Sequence, residues 1–192
     1  MDFNRIINGL IRAARLDVSF YEEVEKDTSY SQDALVVVIL ASLVGAFGKF
    51  IGALFSGQFL TAILLFVVTA AVGVGGYFLW VWVAHLIGTR LFKGNGDFGM
   101  VQRAFGFAYA PQFLNILSFI PCLGGLIGFV AWVWSIATGF VAIRQSMDLD
   151  NTNAALTVII SAVVVFVAVA VVMAIFAAMG LAGAALTGAF NR

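Results

Sequence analysis

The side chains best placed to do chemistry in this chain fall in one stretch, residues 103–125, RAFGFAYAPQFLNILSFIPCLGG. Tyr109, Gln112, Asn115 and Ser118 recur every three residues, and Pro111 and Pro121 punctuate the same run. A proline inside a helix removes one N–H and frees the carbonyl four residues earlier. Pro111 is thus expected to free the Phe107 carbonyl, and Pro121 that of Leu117. In an apolar medium, freed backbone groups and amides need partners inside the protein. The stretch reads as a kinked helix and a tight turn, with a polar seam turned toward neighbouring helices. Two roles fit that seam: hydrogen-bonded glue between helices, or a ligand groove.

Elsewhere the chemistry is sparse. All ten acidic residues lie outside the apolar runs, so no carboxylate relay is expected within them. Lys49 and His85 lie within about two turns of a helix end, where such groups snorkel to the interface. Cys122 is the one cysteine, so no internal disulfide is possible. No Ser–His–Asp set, paired carboxylates or metal-ligand spacing is present. The GVGG at 73–76 falls inside an apolar run rather than between a strand and a helix. The chain therefore reads as a non-enzyme with no catalytic or cofactor-binding residues, no metal and no cofactor.

The elements that must carry the seam follow from composition. Apolar residues are 62% of the chain and charged residues 10%, against roughly 25% in a soluble domain. The net charge of zero gives no reason to expect a nucleic-acid partner. The expected fold is an all-α integral membrane protein. A five-span helical bundle (34–192) follows an amphipathic, polar N-terminal segment (1–33) at the inner membrane surface. Spans are expected at about 34–55, 59–92, 104–119, 123–143 and 154–186. Run 59–92 would reach about 51 Å as one helix, beyond a hydrocarbon core of about 30 Å. Division at its glycines leaves halves too short to cross twice, so one bent or tilted helix is expected. With the N-terminus inside, Arg5, Arg12, Arg15, Lys26, Arg90, Lys93, Arg103 and Arg144 are cytoplasmic, against Lys49 and Arg192 outside. A four-span chain with 104–119 re-entrant is the alternative.

Phe3, Ile6, Ile7, Leu10, Ile11 and Ala14 follow helical spacing, with Arg5, Arg12 and Arg15 on the opposite face. Such a helix lies in the interface with its basic residues on lipid phosphates, or over the cytosolic ends of the bundle. Ser19 and Glu22 fit a capping box for a second, acidic helix, a solvated face or a surface for a basic partner. Small residues mark close helix packing: Gly48 with Gly52, Gly124 with Gly128, and the ladder Ala170, Ala174, Ala178, Ala182. Trp80, Trp82, Trp132 and Trp134 are expected in the core. Expected partners are the lipid bilayer and other membrane proteins, or a second copy through the last span.

Three stretches give the chain a family likeness: LDVSFYEEVEKDTSYSQDALVVV, FAYAPQFL, and IPCLGGLIGFVAWVWSIATGFVAIRQSMDLDNTNAAL. The chain resembles the Yip family, the Ypt/Rab-interacting multi-span proteins, in its compact bacterial form. Tyr109, Ala110 and Pro111 stand where the family's Tyr-Ala-x-x-Pro-like signature lies, although Pro111 follows Ala110 directly. Pro121, Gly128, Trp132 and Arg144 fall in the stretch similar to its fourth span. The resemblance implies five spans, a bacterial cytoplasmic (inner) membrane location, and a non-enzymatic role as a scaffold in membrane organisation or protein–protein interaction. The alternatives are an accessory or assembly subunit of a larger membrane protein complex, and a small channel or uncharged-solute carrier. RQSMDLD is more acidic than the usual link, and the extended cytosolic region of eukaryotic relatives has no counterpart in this sequence.

Overall fold

A computed structural model describes the backbone of residues 2–120 and 122–190, and their side chains except at 172, 173 and 175–190. Seven α-helices and one 3₁₀ segment make up the described chain, and it contains no strand. They are α1 (Phe3–Ala14), α2 (Val18–Lys26), α3 (Tyr30–Phe55), α4 (Phe59–Phe92), α5 (Phe98–Phe107), the 3₁₀ segment (Ala110–Phe119), α6 (Leu123–Ser146) and α7 (Asn151–Phe190).

Aspartates cap the starts of α1, α2, α5 and α7. The Asp2 carboxylate accepts from the N–H groups of Asn4 and Arg5, and Asp97 accepts from Met100 N–H at 2.8 Å. Asp17, not Ser19, caps α2: its carboxylate accepts from Phe20 N–H, and the Ser19 hydroxyl donates to Asp17 at 2.7 Å. The capping box at Ser19 and Glu22 is thus displaced by a stronger acceptor two residues earlier. α4 is one helix over its full 34 residues. It ends on Lys93 at φ 56°, with Gly94 N–H reaching back to Gly88 carbonyl at 2.9 Å, a left-handed cap that satisfies an end carbonyl.

Four helices are long and apolar enough to cross a membrane: α3, α4, α6, and α7 over Asn151–Val171. The third expected span differs from the other four. Instead of a kinked helix over 104–119, α5 stops at Phe107 and a 3₁₀ segment carries the chain on from Ala110. Pro111 stands at the start of that segment, where a missing N–H costs nothing. The released carbonyl is that of Ala108, and the Thr138 hydroxyl of α6 donates to it at 2.8 Å. The ten residues of α5 rise about 15 Å and the ten 3₁₀ residues about 20 Å.

The 3₁₀ segment is wedged between α3 and α6; α3 also packs along α4, and α7 lies on α4 and α6. Helices α1 and α2 cover the end of the bundle where α3 begins. An edge-to-face cluster fastens them there, with Phe20 against Phe107 at 5.0 Å and against Tyr30 at 6.1 Å. Gly9 allows α1 to lie this close, since a Cβ there would stand 2.7 Å from the Phe107 ring.

The tryptophans correct the expectation of a core location. Trp82, Trp132 and Trp134 are exposed on the bundle surface, and Trp80 alone is half-buried, stacked on Phe105 at 6.0 Å. Trp134 Nε1 donates to the Ala14 carbonyl at 2.9 Å, so its ring lies level with the end of α1. An amphipathic indole gains there from an apolar face and a polar partner together.

Arg103 ties the two layers. It is buried in α5, where its guanidinium donates to the Val24 carbonyl at 3.0 Å and to the Glu25 carbonyl. These are last-turn carbonyls of α2, and a cation satisfies them and complements the helix dipole. Arg103→Met removes bonds to a charged donor, each worth about 1.5–3 kcal/mol, and leaves buried carbonyls bare. Thermal unfolding of the full chain in detergent should show a loss of about 2–4 kcal/mol, and an unchanged midpoint would contradict this role.

Candidate functional site

A 3₁₀ helix has three residues per turn, so side chains at i and i+3 eclipse. Tyr109, Gln112, Asn115 and Ser118 therefore form a straight row along the 3₁₀ segment and its cap. Gln112 Nε2 donates to Ser135 Oγ of α6 at 2.8 Å, and Asn115 Nδ2 donates to Gln112 Oε1 at 2.7 Å. Tyr109 meets Tyr77 of α4 edge-on at 5.5 Å, and the Tyr77 hydroxyl donates to the Gln102 carbonyl at 2.7 Å. The row thus joins α4, α5 and α6 through one polar strip.

On its other side the row lines a cavity of about 210 Å³ together with Ser42, Gly45, Lys49, Thr69 and Gly73. Below the ~300 Å³ of ordinary ligand pockets, this volume suits a headgroup-sized molecule rather than a larger one. The buried Ser42 and Ser118 hydroxyls have no hydrogen-bond partner among the described residues. A second, smaller space of about 70 Å³ lies across Tyr109 and Gln112, against Trp80 and Trp132.

Glycines set the spacing. A Cβ on Gly48 would stand 2.5 Å from the Asn115 carbonyl oxygen and 2.6 Å from Ser118 Oγ. A Cβ on Gly73 would stand 2.6 Å from Ser42 Oγ. Gly52 faces Phe119 at 3.8 Å, and Gly128 faces Asn115 Oδ1 at 3.7 Å, both ordinary contact distances.

Of the residues singled out in the sequence, Tyr109, Pro111, Gln112, Asn115 and Gly128 come together at this strip. Pro121 lies outside the described residues. Arg144 stands at the far end of α6, bonded to Gln145 at 2.8 Å and to Asn151 Oδ1 at 3.1 Å, where it ties the α6–α7 turn. Ala170 and Ala174 are exposed on α7, and the side chains of Ala178 and Ala182 lie outside the described residues.

The basic residues of α1 differ from the expectation of three lipid-facing cations. Arg5 is salt-bridged to the buried Asp33 and bonded to Ser29 Oγ at 3.0 Å. Arg12 bridges Asp17 at 2.7 Å and Glu23 at 2.8 Å. Arg15 is exposed. Carboxylates of α2 and α3 are the nearer anions, so two of the three guanidiniums turn inward. The Ser19 hydroxyl and Arg12 hold the Asp17 carboxyl down to about 2, and the Tyr30 hydroxyl and Arg12 lower Glu23. The apolar stripe of α1 also divides: Ile6 and Ala13 are buried in the bundle, while Phe3, Ile7 and Ile11 are exposed. Sequence reasoning overlooked Ser42, Thr69 and Ser135 as partners of the strip. Each is a small hydroxyl in a long apolar helix, where composition alone does not say which face it takes.

Gly48→Ala should destabilise by about 1–3 kcal/mol, because a backbone carbonyl cannot turn aside as a side chain can. Gly75 has open space around it, so Gly75→Ala should be neutral or gain about 0.5–1 kcal/mol of helix propensity. Unfolding midpoints in detergent test the pair; equal losses at both sites would show that the close contact at Gly48 is immaterial.

The family model described as Yip1 domain matches residues 17–188 of the chain. No curated protein and no solved structure matches it. The match runs from α2 through most of α7 and includes the whole polar strip, and the chain is accordingly an integral membrane protein that belongs to the Yip1 domain family.

Proposed function

We propose that the protein is a non-enzymatic membrane scaffold, acting in membrane organisation or protein interaction, and that its contact surface is the charged end formed by α2 and the α6–α7 turn. The observation that carries this reading is an excess of exposed carboxylate over exposed cation on α2 and the α6–α7 turn, where Lys26 is the exposed cation. Glu22, Asp27, Asp148 and Asp150 are exposed, while Arg5, Arg12 and Arg103 are engaged within the protein. Gln145 Nε2 donates to Glu22 at 2.8 Å and draws α6 to α2. Burial raises the Glu25 carboxyl, and the nearby Asp148 charge raises it further. A lysine- or arginine-bearing segment of another membrane protein suits such a surface. Most of the lysines and arginines lie at this end rather than the other, which supports a cytoplasmic N-terminus, and the resemblance supports a bacterial inner membrane.

The second reading is an accessory or assembly subunit, favoured by the exposed small residues Ala170 and Ala174 on α7. Native mass spectrometry of the gently extracted full chain separates the two. The scaffold reading expects the chain alone or with copies of itself. Carbodiimide-crosslinked partners should be joined through lysines and reduced severalfold by Glu22→Gln with Asp148→Asn. Stoichiometric foreign subunits that persist in that variant would assign the accessory role.

Glu25 gives this end a pH signature. Its folded carboxyl is raised, so its contribution to stability is complete below the ordinary carboxylate range and is lost as pH rises through the raised value. Glu25→Gln should therefore raise the unfolding midpoint at pH 7, and the gain should vanish below about pH 4. A gain that persists at low pH would rule out the carboxylate as its source.

A further inference from the structure

The cavity beside the 3₁₀ segment has a lining of one charge sign. Lys49 stands at its exposed edge, hydroxyls of Ser42, Thr69, Tyr109 and Ser118 and the amide of Asn115 line it, and no carboxylate does. Two of those hydroxyls, Ser42 and Ser118, are buried and have no partner among the described residues. A buried hydroxyl without a partner is unfavourable, a penalty removed by a molecule that brings acceptor oxygens. The lining thus complements an anion with several oxygens.

Depth says where the anion comes from. Along α3, Ser42 is about 18 Å and Lys49 about 28 Å from Tyr30, so the cavity runs from the middle of the bundle to Lys49 in the half far from α1 and α2. Its lining from α3 (Ser42, Lys49) and α4 (Thr69, Gly73) belongs to two helices long and apolar enough to cross a membrane. Leu65, one turn before Thr69 on the same face of α4, is exposed, and so is Val72 beside Gly73, giving acyl chains an apolar track from the opening.

The geometry points to a binding site for the headgroup of an anionic phospholipid, drawn in from the leaflet opposite α1 and α2. Lys49 carries the charge recognition, and the Ser42 and Ser118 hydroxyls donate to phosphate oxygens. Lys49 is then the specificity-determining residue, and the row on the 3₁₀ segment is the wall that orients the headgroup.

Native mass spectrometry of the full-length protein in detergent, titrated with phosphatidylglycerol or phosphatidylcholine, tests this. The wild type should retain phosphatidylglycerol about fivefold more tightly, the ratio that corresponds to ~1 kcal/mol per basic residue near anionic lipid. Lys49→Gln should abolish the preference, and as an exposed substitution it leaves the fold intact. Ser42→Ala with Ser118→Ala should weaken phosphatidylglycerol retention while leaving phosphatidylcholine unchanged. Glu22→Gln, at the opposite end of the bundle, should change nothing. Equal retention of the two lipids, or a preference that survives both the Lys49 and the serine variants, would overturn the site. Displacement of the lipid by equimolar glycerol 3-phosphate would overturn its membrane source and assign a soluble phosphoester.

Discussion

A polar row inside a bundle made for lipid must find partners within the protein, and the architecture is arranged around that requirement. Hydrocarbon offers no water to satisfy an amide or a broken helix end. The chain meets the demand by placing its one irregular segment between α3 and α6. The Ala108 carbonyl is bonded by Thr138, Gln112 by Ser135, and Asn115 by Gln112. The long helices then act as shielding: α4 and α7 present their many exposed leucines, valines and phenylalanines outward.

Close approach makes the shielding work. Gly48 lets α3 lie directly on the backbone of the 3₁₀ segment, and Gly73 lets α4 lie on Ser42. Without those two positions the helices would stand further off from the strip. Packing of small residues and satisfaction of polar groups are therefore two sides of one solution here, as in membrane helices generally.

Much of this was legible in the sequence, though not in its final form. The apolar runs marked the four long helices, and the three-residue recurrence from Tyr109 to Ser118 marked the strip. That recurrence is the 3₁₀ period of 3.0, not the 3.6 of an α-helix, and read strictly it announces the 3₁₀ segment as well as the face. What the sequence concealed was choice among partners. Arg5 and Arg12 look free to meet lipid on a helical wheel, but Asp33, Asp17 and Glu23 are brought to them by tertiary folding. Arg103 counted only as a charge in the topology, whereas in the fold its guanidinium closes the end of α2.

The two ends of the molecule are electrostatic opposites, and this divides its surfaces between different kinds of partner. At the end covered by α1 and α2, carboxylates outnumber the cations left free, and every arginine that could offset them is bonded inward or held at a turn, except the exposed Arg15 and Arg90. In the opposite half of the described bundle, Lys49 is the one ionisable group in α3 beyond Asp33, and it lines a cavity with no carboxylate. A scaffold with an acidic aqueous end and a cationic pocket in the far leaflet can engage a basic protein segment on one side and an anionic lipid on the other. The shared wall between them is the 3₁₀ segment: α5, its direct continuation, carries Arg103 into α2, while its row of side chains forms the cavity lining.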